Sequence, residues 1–207
     1  MLRPADSMPA GDSIAATRKN GQNTMRIIDN ISDLGEVKKG CVLTIGNFDG
    51  VHIGHQVILT AAQKNAGQRK TELVAMTFAP HPVALLHSQK ALGVLTPLEL
   101  KEHLLAESGV DTTLVLKSTP ELLTLSPHDF VQRFLVENIQ PSVVVEGESF
   151  NFGYRRTGNI HTLQQLGVEK GFGVSVISAK EVNLSTGQTA KVSSTMIRNM
   201  LESGSVA

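Results

Sequence analysis

Apolar positions fall in short runs broken by turns that carry glycine or proline, and the period of each run predicts its element. Cys41 to Ile45 has the length and composition of a buried strand. Beyond it, Val57, Ile58, Ala61, Ala62 and Ala66 recur at i, i+1, i+4, i+5, the inner stripe of a helix that closes near Gly67. Between them lies Gly46-Asn47-Phe48-Asp49-Gly50-Val51-His52-Ile53-Gly54-His55-Gln56. The segment therefore predicts a strand, a glycine-rich turn and a helix N-terminus.

The same alternation continues. Glu72 to Phe78 predicts a second strand, leading into Ala79-Pro80-His81-Pro82. Thr96-Pro97-Leu98-Glu99 has the form of a capping box with proline at the first helical position. The helix that follows runs to about Ser108, with Leu100, Leu104 and Leu105 facing inward and Gly109 as its stop. Strands are expected at Thr112 to Leu116, Ser142 to Val145 and Gly173 to Ser178. Ser126-Pro127-His128-Asp129 opens a helix striped by Phe130, Val131, Phe134 and Leu135, and a further helix spans Ile160 to Glu169. A hairpin from Val182 to Val192 delivers Ser193-Ser194-Thr195, hydroxyls suited to cap a last helix with Met196, Ile197, Met200 and Leu201 buried. Strands alternating with helices imply an α/β fold, a doubly wound and mostly parallel sheet. Met25 to Ile28 is expected as an edge strand. Residues 1–24 lack a hydrophobic period and are expected to be a disordered tail ahead of one domain spanning 25–207.

Composition narrows the function. Lys+Arg and Asp+Glu number 19 each among 207 residues, so no basic face for nucleic acid is indicated, and an anionic ligand needs a local cluster. No run is long enough to cross a bilayer, and a secretory leader is not evident. The one cysteine, Cys41, excludes an internal disulfide, fits a reducing, cytoplasmic setting and reads as a small core residue.

Four places carry candidate chemistry. Gly46, Gly50 and Gly54 allow a ligand to approach the backbone, and the helix N-terminus after them favours phosphate. His52 and His55 stand three apart at that helix entry. The Pro-His-Pro loop reads either as a stiff strand exit or as a ligand loop at the carboxyl end of a parallel strand. The loop from Glu146 to Asn159 mixes glycines, Phe150, Phe152, Tyr154, Arg155 and Arg156, which suits a flat anionic ligand or a surface loop pinned by two phenylalanines. Ser194 and Arg198 share one side of the last helix, where hydroxyls, helix N–H groups and a guanidinium could bind a second phosphate or simply cap it. His103 reads as a surface residue, and His128 and Asp129 as capping residues.

The string Gly46 to Gln56, with its His-x-Gly-His, resembles the nucleotidyltransferase superfamily. More narrowly it is similar to the FMN adenylyltransferase (FAD synthetase) module of bacterial bifunctional riboflavin kinase/FAD synthetases. Thr77-Phe78-x-Pro80-His81-Pro82, Phe150-x-Phe152-Gly153 and Ser193-Ser194-Thr195-x-Ile197-Arg198 follow in that family's order. The resemblance implies a Rossmann-like sheet and transfer of AMP from ATP to FMN, with Mg2+ and with FAD and pyrophosphate as products. It implies His52, His55, Ser194 and Arg198 as catalytic residues. It places ATP at Gly46, Asn47, Phe48, Asp49, Gly50, Gly54, Ser193 and Thr195, and flavin at Pro80, His81, Pro82, Phe150, Asn151, Phe152, Gly153 and Arg156.

An FMN phosphate oxygen is already a nucleophile, so the chemistry asks for in-line positioning and charge neutralisation rather than a covalent intermediate. The sequence has no dense carboxylate cage, so Mg2+ is expected to ride on the phosphates. Two departures stand out. Ser149 occupies a position where the family commonly has Asp. The family usually continues into a riboflavin kinase domain where this sequence stops at Ala207, so the chain is expected to be either a fragment or a lone adenylyltransferase with a separate riboflavin kinase as partner. The competing expectations are a sister His-x-Gly-His transferase with another acceptor, and a non-catalytic flavin- or nucleotide-binding remnant. A tRNA synthetase fits less well, because no Lys-Met-Ser-Lys-Ser element is present.

Overall fold

The computed structural model describes residues 17–20, 23–82, 93–183 and 189–205. Its centre is a seven-stranded sheet in the order β1-β2-β5-β4-β3-β6-β9. These strands are β1 (Thr17–Asn20), β2 (Asn23–Ile28), β3 (Val42–Ile45), β4 (Leu73–Ala79), β5 (Thr112–Lys117), β6 (Val143–Gly147) and β9 (Gly173–Ile177). All neighbours run parallel except β1, which pairs antiparallel with β2. The short pairs β7 (Asn151–Phe152) with β8 (Gly158–Asn159), and β10 (Glu181–Asn183) with β11 (Thr189–Lys191), stand outside it.

Strand alternation builds two cores. Leu43, Ile45, Val74, Met76, Leu114, Leu116 and Val144 point to one face. That face is covered by α3 (Pro120–Leu123), by α4 (Pro127–Phe130) with its π-helical continuation Val131–Ile139, and by α5 (Ile160–Lys170). Val42, Leu73, Ala75, Val115, Val143 and Val145 point to the other face, under α1 (Ile53–Arg69) and α2 (Leu98–Glu107). Strands β3, β4, β5 and β6 are buried on both faces and read as apolar runs, which is why they were legible. Cys41 lies buried in the first of these cores, as expected, and burial pushes its thiol up to about 12. Among the described residues no helix is long and apolar enough to cross a membrane.

Several expectations shift. Met25–Ile28 belongs to β2, which is not the edge: Asn23 pairs with Asn20, so strand already forms inside the span expected as tail. The Asn20-Gly21 step is itself a hairpin signal. The turn expected at Thr186-Gly187-Gln188 lies outside the described residues, although the strands flanking it pair as a hairpin should. On α1 the buried residues are Leu59, Ala62 and Ala66, while Val57 is 36% exposed. Apolar residues at 57, 58 and 59 left the helix phase open, and the entry fixed by His52 turns Leu59 to the sheet. On α2 the phase differs again: Lys101, Glu102, Leu105 and Ala106 are buried, and Leu100 is exposed. On α6 (Ser194–Glu202) only Arg198 is fully buried; Met196, Ile197 and Met200 are half-buried and Leu201 is exposed.

Leu59→Ala should therefore cost about 2–5 kcal/mol of stability, as deletion of a buried leucine does. Val57→Ala should stay within about 0.5 kcal/mol. Denaturant unfolding of both variants measures the contrast.

Candidate active site

The order of the sheet reverses between β3 and β6, the place where open α/β sheets leave a crevice at their strand ends. β3 and β6 pair only through Val42–Val143 and Leu43–Val144 and then part. Where they part, the carboxyl of Glu146 accepts the Ile45 N–H and a 3.4 Å hydrogen bond from the Thr44 hydroxyl. Glu146 is buried, no cation pairs with it among the described residues, and burial raises its pKa well above the usual carboxyl range against those two donors. Sequence reasoning passed it over; its only signal is an acidic residue ending the run Val143-Val144-Val145.

Beyond Ile45 the chain turns sharply. Phe48 (φ 45°) and Val51 (φ 35°) both hold left-handed backbone, which a β-branched residue rarely adopts. Asp49 holds the turn in place. Its carboxylate accepts the Leu95 N–H at 3.1 Å, the Thr96 N–H at 2.9 Å, the Thr96 hydroxyl at 3.2 Å, and an Arg198 Nη2–H. Its backbone carbonyl accepts the Ser194 hydroxyl at 2.9 Å, and the Gly50 N–H reaches Thr96 Oγ1 at 2.9 Å. Burial alone would raise the Asp49 pKa; the Thr96 and Leu95 amides and the Arg198 guanidinium outweigh it and hold the carboxyl below its usual range.

This arrangement corrects two expectations. Thr96 does not cap α2: Pro97 occupies the cap position without a side-chain bond, because the Thr96 hydroxyl serves Asp49 and Gly50. Arg198 is not a free guanidinium either, since Nε donates to the Gly93 carbonyl at 2.7 Å and Nη2 to Asp49. Ser193 does cap the last helix, accepting the Met196 N–H at 3.2 Å, while Thr195 is exposed.

His52 caps α1, its Nδ1 accepting the His55 N–H at 3.4 Å. The two imidazoles stack with centroids 3.7 Å apart, and the Phe48 ring meets His55 edge-on at 5.4 Å. Gly54 makes the stack possible: a Cβ there would sit 3.1 Å from the His52 ring and 3.4 Å from the Val192 carbonyl. Burial lowers the pKa of His52 and pushes His55 down to about 3, with the neighbouring His52 adding to the second shift. His55 Nδ1 and Asn47 Oδ1 are buried without hydrogen-bond partners among the described residues. Two polar atoms unsatisfied beside a helix N-terminus are what a ligand rich in oxygen and hydrogen-bonding groups would complete.

Next to this turn, a cavity of about 440 Å³ is lined by Phe78, Pro80 and His81 from the Pro-His-Pro loop, Lys101 from α2, and Asp49 and Arg198. Burial, then the Arg198 charge, lowers the His81 pKa. Pro82 follows directly, and residues 83–92 lie outside the described residues.

The structure thus gathers Gly46 to His55, Pro80 to Pro82 and Ser193 to Arg198 in one region. The contacts of Phe150 to Arg156 run elsewhere. Phe152 is buried, stacks on Phe150 at 5.4 Å and meets Phe130 at 5.9 Å, and Tyr154 N–H bonds the Leu125 carbonyl at 2.7 Å. Gly153 (φ 73°) lies so close to Pro127 that a Cβ would come within 2.8 Å of it. Asn151 and Arg156 are exposed. The pinned-loop reading describes these contacts. Ser126, with Asp129 bonded back to its hydroxyl, caps α4 in the way expected of that segment. His103 is partly exposed and pairs with Glu107 at 3.1 Å. Among the described residues no three His, Cys, Asp or Glu side chains group as metal ligands.

A doubly wound sheet with a His-x-Gly-His helix entry at its switch point defines the nucleotidyltransferase class. Comparison with known proteins narrows this. The family model for FAD synthetase matches residues 34–196, and the chain belongs to that family. The bifunctional riboflavin kinase/FMN adenylyltransferase of Escherichia coli K12 is 35% identical over 184 residues, 88% of this chain. The chain spans 57% of that relative's length. Among solved structures, a Streptococcus pneumoniae protein described as a macrolide-efflux protein superposes with a TM-score of 0.69 at 23% identity, covering 84% of this chain and 54% of the other. A Francisella tularensis pantoate-beta-alanine ligase gives 0.54 at 15% identity, covering 86% and 78%. At these identities both describe the fold alone.

Two outcomes are expected of the protein without ligand. Imidazole titration followed by NMR should show His52 below the ordinary 6.5 and His55 near 3. These depressed values mean that their contribution to stability is present above 6.5 and lost as pH falls through the folded values. Glu146→Gln tests the opposite sign. A raised folded pKa gives stability that is full below the unfolded carboxyl value and lost as pH rises through the folded one. The amide, which keeps an acceptor for Ile45 N–H, should gain on the wild type between pH 5 and pH 8 in denaturant unfolding.

Proposed function

We propose that this chain is an FMN adenylyltransferase, transferring AMP from ATP to FMN to give FAD and pyrophosphate. The observation that carries the reading is the stacked His52–His55 pair at the N-terminus of α1, at the switch point and beside a cavity walled by Phe78, Pro80 and His81. Membership of the FAD synthetase family and the FMN adenylyltransferase activity of the bifunctional relatives support it.

The reaction needs an FMN phosphate oxygen to attack the α-phosphorus of ATP in line while the bond to pyrophosphate breaks. Neutral imidazoles suit this task. Each offers one N–H to a phosphate oxygen, and neither brings a buried charge that the protein alone must stabilise. The N–H groups opening α1, with Gly46 to Gly50 before them, would cradle the triphosphate. Ser194 and Arg198 act first as struts on Asp49; Arg198 keeps Nη1 outside those bonds, the nitrogen we assign to nucleotide phosphate. Pro80, His81 and Pro82 would line the flavin side. The exposed Asn151 and Arg156 would meet the flavin from the neighbouring loop, which Phe150, Phe152 and Gly153 anchor.

The Asp49 oxygens are committed to Leu95, Thr96 and Arg198, so the described residues offer no carboxylate cage. Mg2+ would enter as part of the substrate, on the ATP phosphates. The FMN consumed must come from phosphorylation of riboflavin, the second activity named in the relatives, and a riboflavin kinase is the partner we assign.

Incubation with FMN, ATP and Mg2+ should yield FAD and pyrophosphate by chromatography, and riboflavin in place of FMN should yield no FAD. His55→Ala should lower kcat by roughly 10²–10³, the usual loss when one transition-state donor is removed. Arg198→Ala should lose activity and stability together, by about 3–5 kcal/mol, because Asp49 would be left buried without its cation. Wild-type turnover in a folded His55→Ala protein would refute the assignment.

A further inference from the structure

The helix phase of α2 buries a lysine where a leucine stripe was expected. Lys101 is only 5% exposed and lines the same cavity as Phe78, Pro80, His81, Asp49 and Arg198. Buried lysines are rare unless paired. Among the described residues, however, no hydrogen bond or ion pair engages the Lys101 ammonium.

The charge balance of the cavity follows. Asp49 is matched by Arg198, with its remaining capacity taken by Leu95 and Thr96. Glu102 and Asp49 attract Lys101 at a distance, but burial dominates and lowers its pKa. The Lys101 charge in turn disfavours protonation of both His55 and His81, so it lies within electrostatic reach of the stacked histidines and of the Pro-His-Pro loop. Among the described residues that line the cavity, Lys101 is therefore a cation in surplus, facing an apolar wall of Phe78, Pro80, Val94 and Leu98. Such a site fits a flat apolar group joined to a phosphate.

We propose that Lys101 binds the phosphate of the acceptor nucleotide, so that the cavity selects a phosphorylated flavin over the unphosphorylated one. The inference rests on the FMN adenylyltransferase reading and adds to it a residue that reads the acceptor. A dianion beside a desolvated ammonium forms charge-assisted hydrogen bonds that water weakens little. Losing one such bond costs roughly 10- to 100-fold in affinity. A merely structural lysine would affect both flavins alike.

The test uses the purified chain with Lys101→Gln and Lys101→Arg, titrated with FMN, with riboflavin and with a non-hydrolysable ATP analogue. Lys101→Gln should weaken FMN binding by roughly 10- to 100-fold and leave riboflavin binding and the ATP analogue unchanged. Lys101→Arg, which keeps the charge, should retain most of the preference for FMN. Should Lys101→Gln fail to fold, Lys101→Met fills the volume with an apolar chain and carries the same expectation. Equal weakening of FMN and riboflavin, unchanged FMN affinity, or a loss confined to the ATP analogue would each overturn the proposal. The parent reading is judged separately by wild-type turnover. If the wild type makes no FAD yet prefers FMN through Lys101, the activity fails and the binding site stands. If FAD forms and the variants keep the preference, this inference alone fails.

Discussion

The site depends on one buried carboxylate. Asp49 lies in the turn after β3, and its oxygens and carbonyl engage Leu95, Thr96, Ser194 and Arg198. Segments separated by 46 to 149 residues in sequence thus meet at one side chain. The turn it holds contains left-handed backbone at both Phe48 and Val51. Such backbone costs about 1–3 kcal/mol per residue, and it persists only where surrounding bonds over-determine it. A buried ion pair contributes little net stability but is strongly destabilising when one partner is removed. Its value here is geometric, since it ties the last helix to the loop that aims His52 and His55.

The sheet supplies the second constraint. A parallel ladder continued past Leu43 and Val144 would close the crevice between β3 and β6. Glu146 prevents this by taking the Ile45 N–H with its side chain, so the strand ends part without leaving that amide unsatisfied. Gly147 follows because the Ile58 side chain of α1 packs there, 3.2 Å from where a Cβ would be. The opening in the sheet and the seat of α1 are thus made by adjacent residues of one strand.

These features differ in how far the sequence reveals them. The central strands β3 to β6 were legible because burial on both faces writes an apolar run, and the His-x-Gly-His turn because of its spacing of glycines and histidines between a strand and a helix. Helix phase was less legible. In α1, three successive apolar residues fit the pattern in more than one rotation. In α2, the inward Lys101 and Glu102 contradict the rule that charge faces water, and only the tertiary site accounts for it. Arg198 was visible as a motif residue, but its bond to Asp49 spans 149 positions and leaves no local periodicity. The loop from Phe150 to Arg156 was ambiguous in another way. Aromatic residues and arginines suit a flat anion and also suit anchoring, and contact with Phe130 and Pro127 decides that Phe150, Phe152 and Gly153 anchor.

Charge placement links the fold to its chemistry. The chain is neutral as a whole, so attraction for an anion must come from where charges sit rather than from how many there are. At the helix entry the protein keeps both imidazoles uncharged by burying and stacking them. In the adjoining cavity, among the described residues, Arg198 is in balance with Asp49 and Lys101 is in surplus. A phosphorylated ligand would offset the cost of the buried ammonium, because its negative charge favours the protonated form. The site is therefore electrostatically incomplete in the protein alone. The same burial that depresses its basic groups would make their interaction with a phosphate strong.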